Sequence, residues 1–295
     1  MIENQSSLWS ANEGSKKNSQ LEKFCKCLEK KSIFKNTSRF KDIWEWSVKN
    51  PEYFWSEVWD FTKIKGIKKG KVIKKNKIFY KNIFFPNSKI NYAENLLRKK
   101  NQETAIKFLS ENGLQKEITW KKLYENVCRL SRYLKKINLR EKDRVAAYVP
   151  NSIESVISFL AASKNGLIWS SCSPDFGADG VIDRFSQIKP KILITCEYYF
   201  YNGKKINILE KIPQILKKIK SIKKVIVFPY TNQMEKKINS NYFDFYSILK
   251  NSKMDENFKK FNFNHPLYIL YSSGTTGIPK CIIHGAGNVL IEHNK

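Results

Sequence analysis

The sequence predicts an α/β fold: a mostly parallel sheet flanked by helices, with a helical segment towards the N-terminal side. Three observations carry that expectation. From about residue 104 onward, short strand-like apolar runs alternate with stretches of helical periodicity. The runs at 144–149 and 192–196 are apolar almost throughout, as strands buried on both faces must be. Before residue 62, by contrast, the apolar positions fall at helical spacing.

Residues 1–35 are polar and rich in Lys, Glu and Ser, with one short helical candidate at 21–28. Between 40 and 61, Ile43, Trp44 and Val48, then Phe54, Trp55, Val58 and Trp59, mark two helices. Pro51 suits the first turn of the second, where its missing N–H costs nothing. The lysine-rich stretch 63–77 reads as a loop, and Asn91 as the cap of a short helix carrying Ala93, Leu96 and Leu97. Strands are expected at 105–109, 117–119, 144–149, 167–171, 192–196 and 225–228. Helices are expected from Thr119 to Leu134, at 152–163 and at 178–188, the last stopped by Pro190 and preceded by Asp175 as its expected cap.

The formal net charge is +27, yet 47 of the 54 basic residues are lysine, spread along the whole chain with abundant Asn and Ile. Nucleic-acid readers lean on the rigid, bidentate guanidinium, so this charge reads as solvated surface rather than a nucleic-acid face. The six cysteines include no Cys-x-x-Cys pair and no zinc spacing; no metal site is expected, and free thiols in a reducing cytoplasm fit them best. The first twenty residues have no apolar core of a secretory signal, and no run approaches the roughly 18 apolar residues of a membrane span. A cytoplasmic protein without membrane partners is expected.

The segment that carries chemistry runs from Leu267 to Gly285. A strand-like run, 267–271, empties into Ser272-Ser273-Gly274-Thr275-Thr276-Gly277, followed by Ile278-Pro279-Lys280 and a second strand-like run, 281–283. Small residues let backbone N–H groups approach an anion, hydroxyls add donors, and Lys280 brings a positive charge towards phosphates. A Walker loop would lead straight from Lys into a helix; here Pro279 precedes the lysine and a strand follows. The loop is therefore expected between two strands.

That motif resembles the signature of the adenylate-forming superfamily, which includes acyl-CoA synthetases and peptide-synthetase adenylation domains. The stretches 42–61, 84–97, 143–161, 168–194 and 264–285 narrow the likeness to its acetoacetate–CoA ligases, with Ser-Ser-Cys-Ser-Pro-Asp-Phe-Gly at 170–177 pointing to that branch. The resemblance implies an N-terminal part of the superfamily's large domain, divided as a polar segment 1–35, a helical region 36–98 and an incomplete AMP-binding domain 99–295. It implies that acetoacetate attacks ATP to give an acyl-adenylate and pyrophosphate, and that the thiol of coenzyme A then takes the acyl group. ATP, Mg2+ and coenzyme A are the implied co-substrates. Ser272, Ser273, Gly274, Thr275, Thr276, Gly277 and Lys280 are implied to hold the ATP phosphates, with Lys280 and Thr275 acting in catalysis. His284, Trp169, Ser170 and Ser171 are implied to lie near the acyl pocket, although packing roles would explain them equally.

Further segments that the resemblance calls for, among them an adenine-binding stretch and a mobile domain with a catalytic lysine, are not in this sequence. The chain is expected to be truncated, as a gene fragment, a frameshift or a split gene, and incomplete for adenylation; a separate polypeptide supplying the C-terminal part is one way to complete it. An acetate or propionate ligase, or a non-catalytic remnant of such an enzyme, are the alternative readings.

Overall fold

The computed structural model describes residues 9–34, 40–231, 234, 238–272, 277 and 279–294. The chain forms two compact units, one reaching to Ile64 and one from Lys65 to His293. Residues 65–98 thus go with the larger unit.

In the smaller unit, Gln20–Lys30 is capped by the Ser19 hydroxyl, and Phe40–Lys49 and Pro51–Phe61 follow with Pro51 in the first turn. Phe24 anchors the helices edge-on to Phe54 and Phe61, at 6.0 and 5.2 Å between ring centroids. Leu28 and Trp59 are buried, but Trp44 and Val48, two of the residues whose spacing marked the helix, are exposed.

Seven strands form the central sheet of the larger unit: β1 Arg144–Tyr148, β2 Ile168–Cys172, β3 Ile192–Cys196, β4 Lys224–Phe228, β5 Tyr242–Asp244, β6 Pro266–Tyr271 and β7 Cys281–Gly285. Their order is β5–β4–β3–β1–β2–β6–β7. Every pairing is parallel except β6 with β7. The α/β class and the parallel sheet match the sequence expectation. The order in which strands are added reverses around β1: the connection through helix Ile153–Lys164 leads to β2 on one side, and that through helix Ala178–Ile188 crosses back to β3 on the other. Right-handed crossovers then place these helices on opposite faces of the sheet. Helix Trp120–Lys136 packs with 153–164, and Ile212–Lys218 packs with 178–188. Val145, Ala146, Ala147, Leu193 and Ile194 at the sheet centre are wholly buried, which is why β1 and β3 lack polar alternation.

Local signals held where the cap is a single side chain. Asn91 Oδ1 accepts from Glu94 N at 3.2 Å and Thr119 Oγ1 from Lys122 N at 3.2 Å. Three features differ from expectation. The 63–77 stretch contains the two-residue strands Gly66–Ile67 and Ile73–Lys74, too short for any periodicity to announce. A hairpin of Tyr198–Tyr201 and Lys204–Asn207 was not anticipated, although Asn202-Gly203 between tyrosine-rich arms, both at positive φ (50° and 70°), is the turn chemistry such hairpins need. Asp175 does not cap helix 178–188: the cap position is Gly177, with no side-chain bond, because the Asp175 carboxylate is taken by Ser173 and Tyr199.

His265 ties this sheet to its surroundings. Its Nε2 lies 2.8 Å from the carbonyl oxygen of Gly166 and its ring stacks on Phe261 at 4.9 Å. Gly166 sits at φ +68°, and a Cβ there would meet the Phe261 ring at 2.7 Å. Burial holds the His265 imidazole below its usual range, while the Gly166 bond and Glu141 pull the other way and Lys142 and Lys259 add to the lowering. A depressed value means the unfolded chain takes up a proton that the folded chain refuses. Stability is therefore expected to be complete above the ordinary histidine range and to fall as pH drops through it. His265→Gln should flatten that part of a plot of Tm against pH; an unaltered slope would contradict the assignment.

Candidate functional site

β6 and β7 form the only antiparallel pair of the described central sheet, with Ile269 opposite Ile283 and Tyr271 opposite Cys281. Because β6 runs parallel to β2, the residues after Tyr271 emerge at the same end of the sheet as those after Cys172. Open parallel sheets bind ligands at that carboxyl end. The segment expected to hold phosphates thus starts at the carboxyl end, between two strands, as its sequence implied. Its neck is closed by the Ser272 amide donating to the Lys280 carbonyl at 3.0 Å. Lys280 is exposed, Ser272 is half-buried, and Gly277 has φ +112°, a conformation that side chains resist. Ser273, Gly274, Thr275 and Thr276 lie outside the described residues.

The four residues expected near an acyl pocket divide between the two faces of the sheet. Trp169 pairs with Tyr268, and Tyr268 with His284, so all three share one face. Their rings form a ladder: Phe159 to Trp169 at 5.9 Å, Phe159 to Tyr268 at 6.2 Å, and Tyr268 to His284 at 5.1 Å. Tyr92 joins through Phe159 at 5.7 Å, and its phenol, raised to about 12 by burial, lies 3.3 Å from His293 Nδ1. Ser170 alternates to the other face and is wholly buried; its hydroxyl donates to the Ile269 carbonyl at 2.9 Å and lies 3.2 Å from the Tyr271 hydroxyl. A serine so placed staples β2 to β6. Ser171 is exposed at the strand end.

Trp169 and Ser171 line a cleft of about 500 Å3 at the carboxyl ends of β1 and β2, together with Val149, Ser152, Ser155 and Phe159. A larger groove, about 820 Å3, lies between helix Trp120–Lys136 and helix Phe245–Asn251 and holds none of the expected residues.

Several residues that shape this end of the sheet were not anticipated. The Tyr148 hydroxyl, 2.5 Å from the Phe176 carbonyl oxygen and 3.0 Å from that of Pro174, holds the 173–177 loop from below. Tyr199 donates to Asp175 at 2.8 Å, and the Arg184 guanidinium stacks 4.1 Å from the Phe176 ring centroid. Burial first pushes both phenols above their ordinary range, helped for Tyr199 by its bond to the Asp175 carboxylate and for Tyr148 by Cys172 and Cys196 ahead of Asp175, so they act as donors. Burial also pushes the Cys172 thiol up to about 12, which rules it out as a thiolate nucleophile near neutral pH. Among the described residues no three His, Cys, Asp or Glu side chains converge as a metal site. No helix among them is long and apolar enough to cross a membrane. This end of the sheet thus presents an exposed lysine at the closed neck of the β6–β7 loop and a cleft lined by Phe159 and Trp169.

The AMP-binding enzyme family matches residues 93–294 of the chain. Acetoacetyl-CoA synthetase of Macaca fascicularis is 38% identical over 292 residues, covering 95% of this chain and 43% of that protein. Acetoacetyl-coenzyme A synthetase of Rhizobium meliloti is 38% identical over 256 residues, covering 85% and 39%. The solved acetoacetyl-CoA synthetase from Streptomyces lividans superposes with a TM-score of 0.92 at 28% identity, covering 99% of this chain and 45% of its own. The chain therefore spans less than half the length of these relatives.

Proposed function

The chain belongs to the AMP-binding enzyme family, and from that premise we propose that it provides the phosphate-binding part of an ATP-dependent acetoacetate–CoA ligase. The carrying observation is the closed β6–β7 neck presenting Lys280 at the carboxyl end of a parallel sheet. The similarity to acetoacetyl-CoA synthetases along nearly the whole chain supports the acetoacetate branch.

In this reading acetoacetate attacks the α-phosphate of ATP, a carboxylate oxygen–phosphorus bond forms and pyrophosphate leaves. Coenzyme A thiol then takes the acyl group and AMP leaves. This chain's part is electrostatic. Lys280 and the neighbouring N–H groups would offset charge on the phosphates, a role in which fixed donors are worth more than mobile water. Ser273, Gly274, Thr275 and Thr276 belong to the same proposal by motif, with Thr275 beside Lys280 in catalysis. Trp169, Ser171 and His284 would border the acyl end, and Ser170 would support it from behind. Mg2+ would neutralise triphosphate charge; the described residues offer no donor cluster for it, so no step is assigned to it. A cytoplasmic location fits these substrates. A second polypeptide supplying the relatives' remaining length belongs to the proposal as well.

Two measurements test it. The 295-residue chain should bind ATP, with pyrophosphate competing, in a calorimetric titration. Acetoacetate-dependent exchange of pyrophosphate into ATP should be absent for the chain alone and appear when the remaining segment is supplied in trans. Absence of ATP binding would remove the phosphate role, and exchange by the chain alone would remove the need for a partner.

A further inference from the structure

The loop neck is held by more than its own strands. Gln187, on the last turn of helix Ala178–Ile188, has its whole amide group engaged. Its Nε2 donates to the Asp183 carbonyl at 2.8 Å and to the Pro279 carbonyl at 2.9 Å. Its Oε1 lies 3.5 Å from Cys281 Sγ, placed to accept from the thiol. The orientation is fixed by these partners, because a turned amide would set Oε1 against the Pro279 carbonyl oxygen. One turn earlier, the Arg184 carbonyl accepts from the Tyr271 hydroxyl at 3.2 Å. Both ends of the loop are thus tied to one helix: Tyr271 on the way in, Pro279 and Cys281 on the way out. Lys280 stands between the two residues that Gln187 holds, and its own carbonyl closes the neck through Ser272.

We propose that Gln187 is a positioning residue that fixes the exit side of the β6–β7 loop and, through it, the aim of Lys280; this rests on the phosphate-binding reading above. The side chain is exposed, and two of its three bonds leave its own helix for the exit side of the loop, a pattern that packing does not explain. What it supplies is a donor at one site and an acceptor at another, which a carboxylate of the same shape cannot do. Gln187→Glu keeps length and helix propensity but faces the Pro279 carbonyl with an oxygen, and it must lose the clasp.

The test compares Gln187→Glu and Gln187→Ala with the unaltered chain, and with Gln214→Ala as control. Gln214 bonds Asp179, on the helix that carries Gln187, at 3.0 Å. Hydrogen–deuterium exchange at the Ser272 amide, which donates to Lys280, reports the neck directly. ATP affinity by calorimetry reports the aim of Lys280. Both Gln187 variants should keep the unaltered Tm within a degree or two, speed exchange at Ser272 and weaken ATP binding about two- to tenfold, the span of one lost side-chain hydrogen bond. Gln214→Ala should do neither. Unchanged exchange would overturn the clasp, and faster exchange with unchanged ATP affinity would overturn its effect on Lys280. If the unaltered chain does not bind ATP, the phosphate reading falls and the Lys280 part of this inference with it. The exchange comparison still decides the clasp.

Discussion

Asp255→Ala is expected to cost the larger unit about 3–5 kcal/mol, the loss that follows when one partner of a buried ion pair is removed. The Lys164 side chain is wholly buried, 3.7 Å from the Asp255 carboxylate, which also binds Lys135 at 2.5 Å. Lys164 Nζ also reaches the Asn257 carbonyl at 2.9 Å and Ser131 Oγ at 3.3 Å, and stands 4.7 Å from the Phe258 ring centroid. Burial already lowers the Lys164 ammonium below its ordinary range, with Asp255 the largest influence opposing it. Without Asp255 the lowering is greater, and the unfolded chain holds a proton that the folded chain gives up. Stability of the variant should therefore rise with pH as Lys164 is neutralised, between its folded value and the ordinary lysine value. Urea denaturation across alkaline pH measures this directly. Adding Lys164→Met should recover much of the loss, since it is the unpaired charge that is expensive. If the double variant proves weaker than the single one, the account of this pair is wrong.

Lys280→Ala is expected to weaken ATP binding about 10- to 100-fold, the scale of a hydrogen bond to a charged group. The side chain is exposed, so folding should be untouched and Tm unchanged. Lys280→Arg should keep part of the affinity, because charge is retained while the compact ammonium is replaced by a planar fork. Binding by the unaltered chain should fall as salt rises, and the alanine variant should show a shallower dependence. Equal ATP affinity for Lys280→Ala and the unaltered chain in calorimetry would show that the phosphates are held elsewhere.

What could be read from the sequence followed the range of the interactions concerned. The caps made by Asn91 and Thr119 and the first-turn place of Pro51 reach no further than three residues, and each stands where its chemistry placed it. The bonds of the Asn91 amide to the Lys164 and Lys259 carbonyls, by contrast, are not legible locally. The buried strands were visible because both faces of β1 and β3 need apolar residues. A cap is the local use of a carboxylate and is what Asp175 suggests; its actual donors are Ser173, two residues before it, and Tyr199, 24 residues away. Tyr148 is 28 residues from Phe176 and Gln187 is 92 from Pro279, and nothing in one sequence relates such pairs. The placement of Ser170 is a matter of parity. In a strand, neighbours alternate between faces, so Trp169 and Ser170 never had the option of sharing a pocket. That signal was present, since three consecutive residues of one strand cannot all face one ligand.

The strand order also bears on how the molecule assembles during synthesis. β1, β2 and β3 follow one another within residues 144–196, and β2 and β3 both pair with β1, so their contacts close over short spans of chain. β6 must return from far downstream to lie beside β2, and the Ser170–Ile269 bond that joins them spans 99 residues. Long loops close late, because their entropy is lost before any contact compensates it. On the ribosome, the central strands can therefore be in place before the last hairpin has emerged. The loop proposed to hold phosphate is then added to a scaffold already paired, and errors made there leave the scaffold standing.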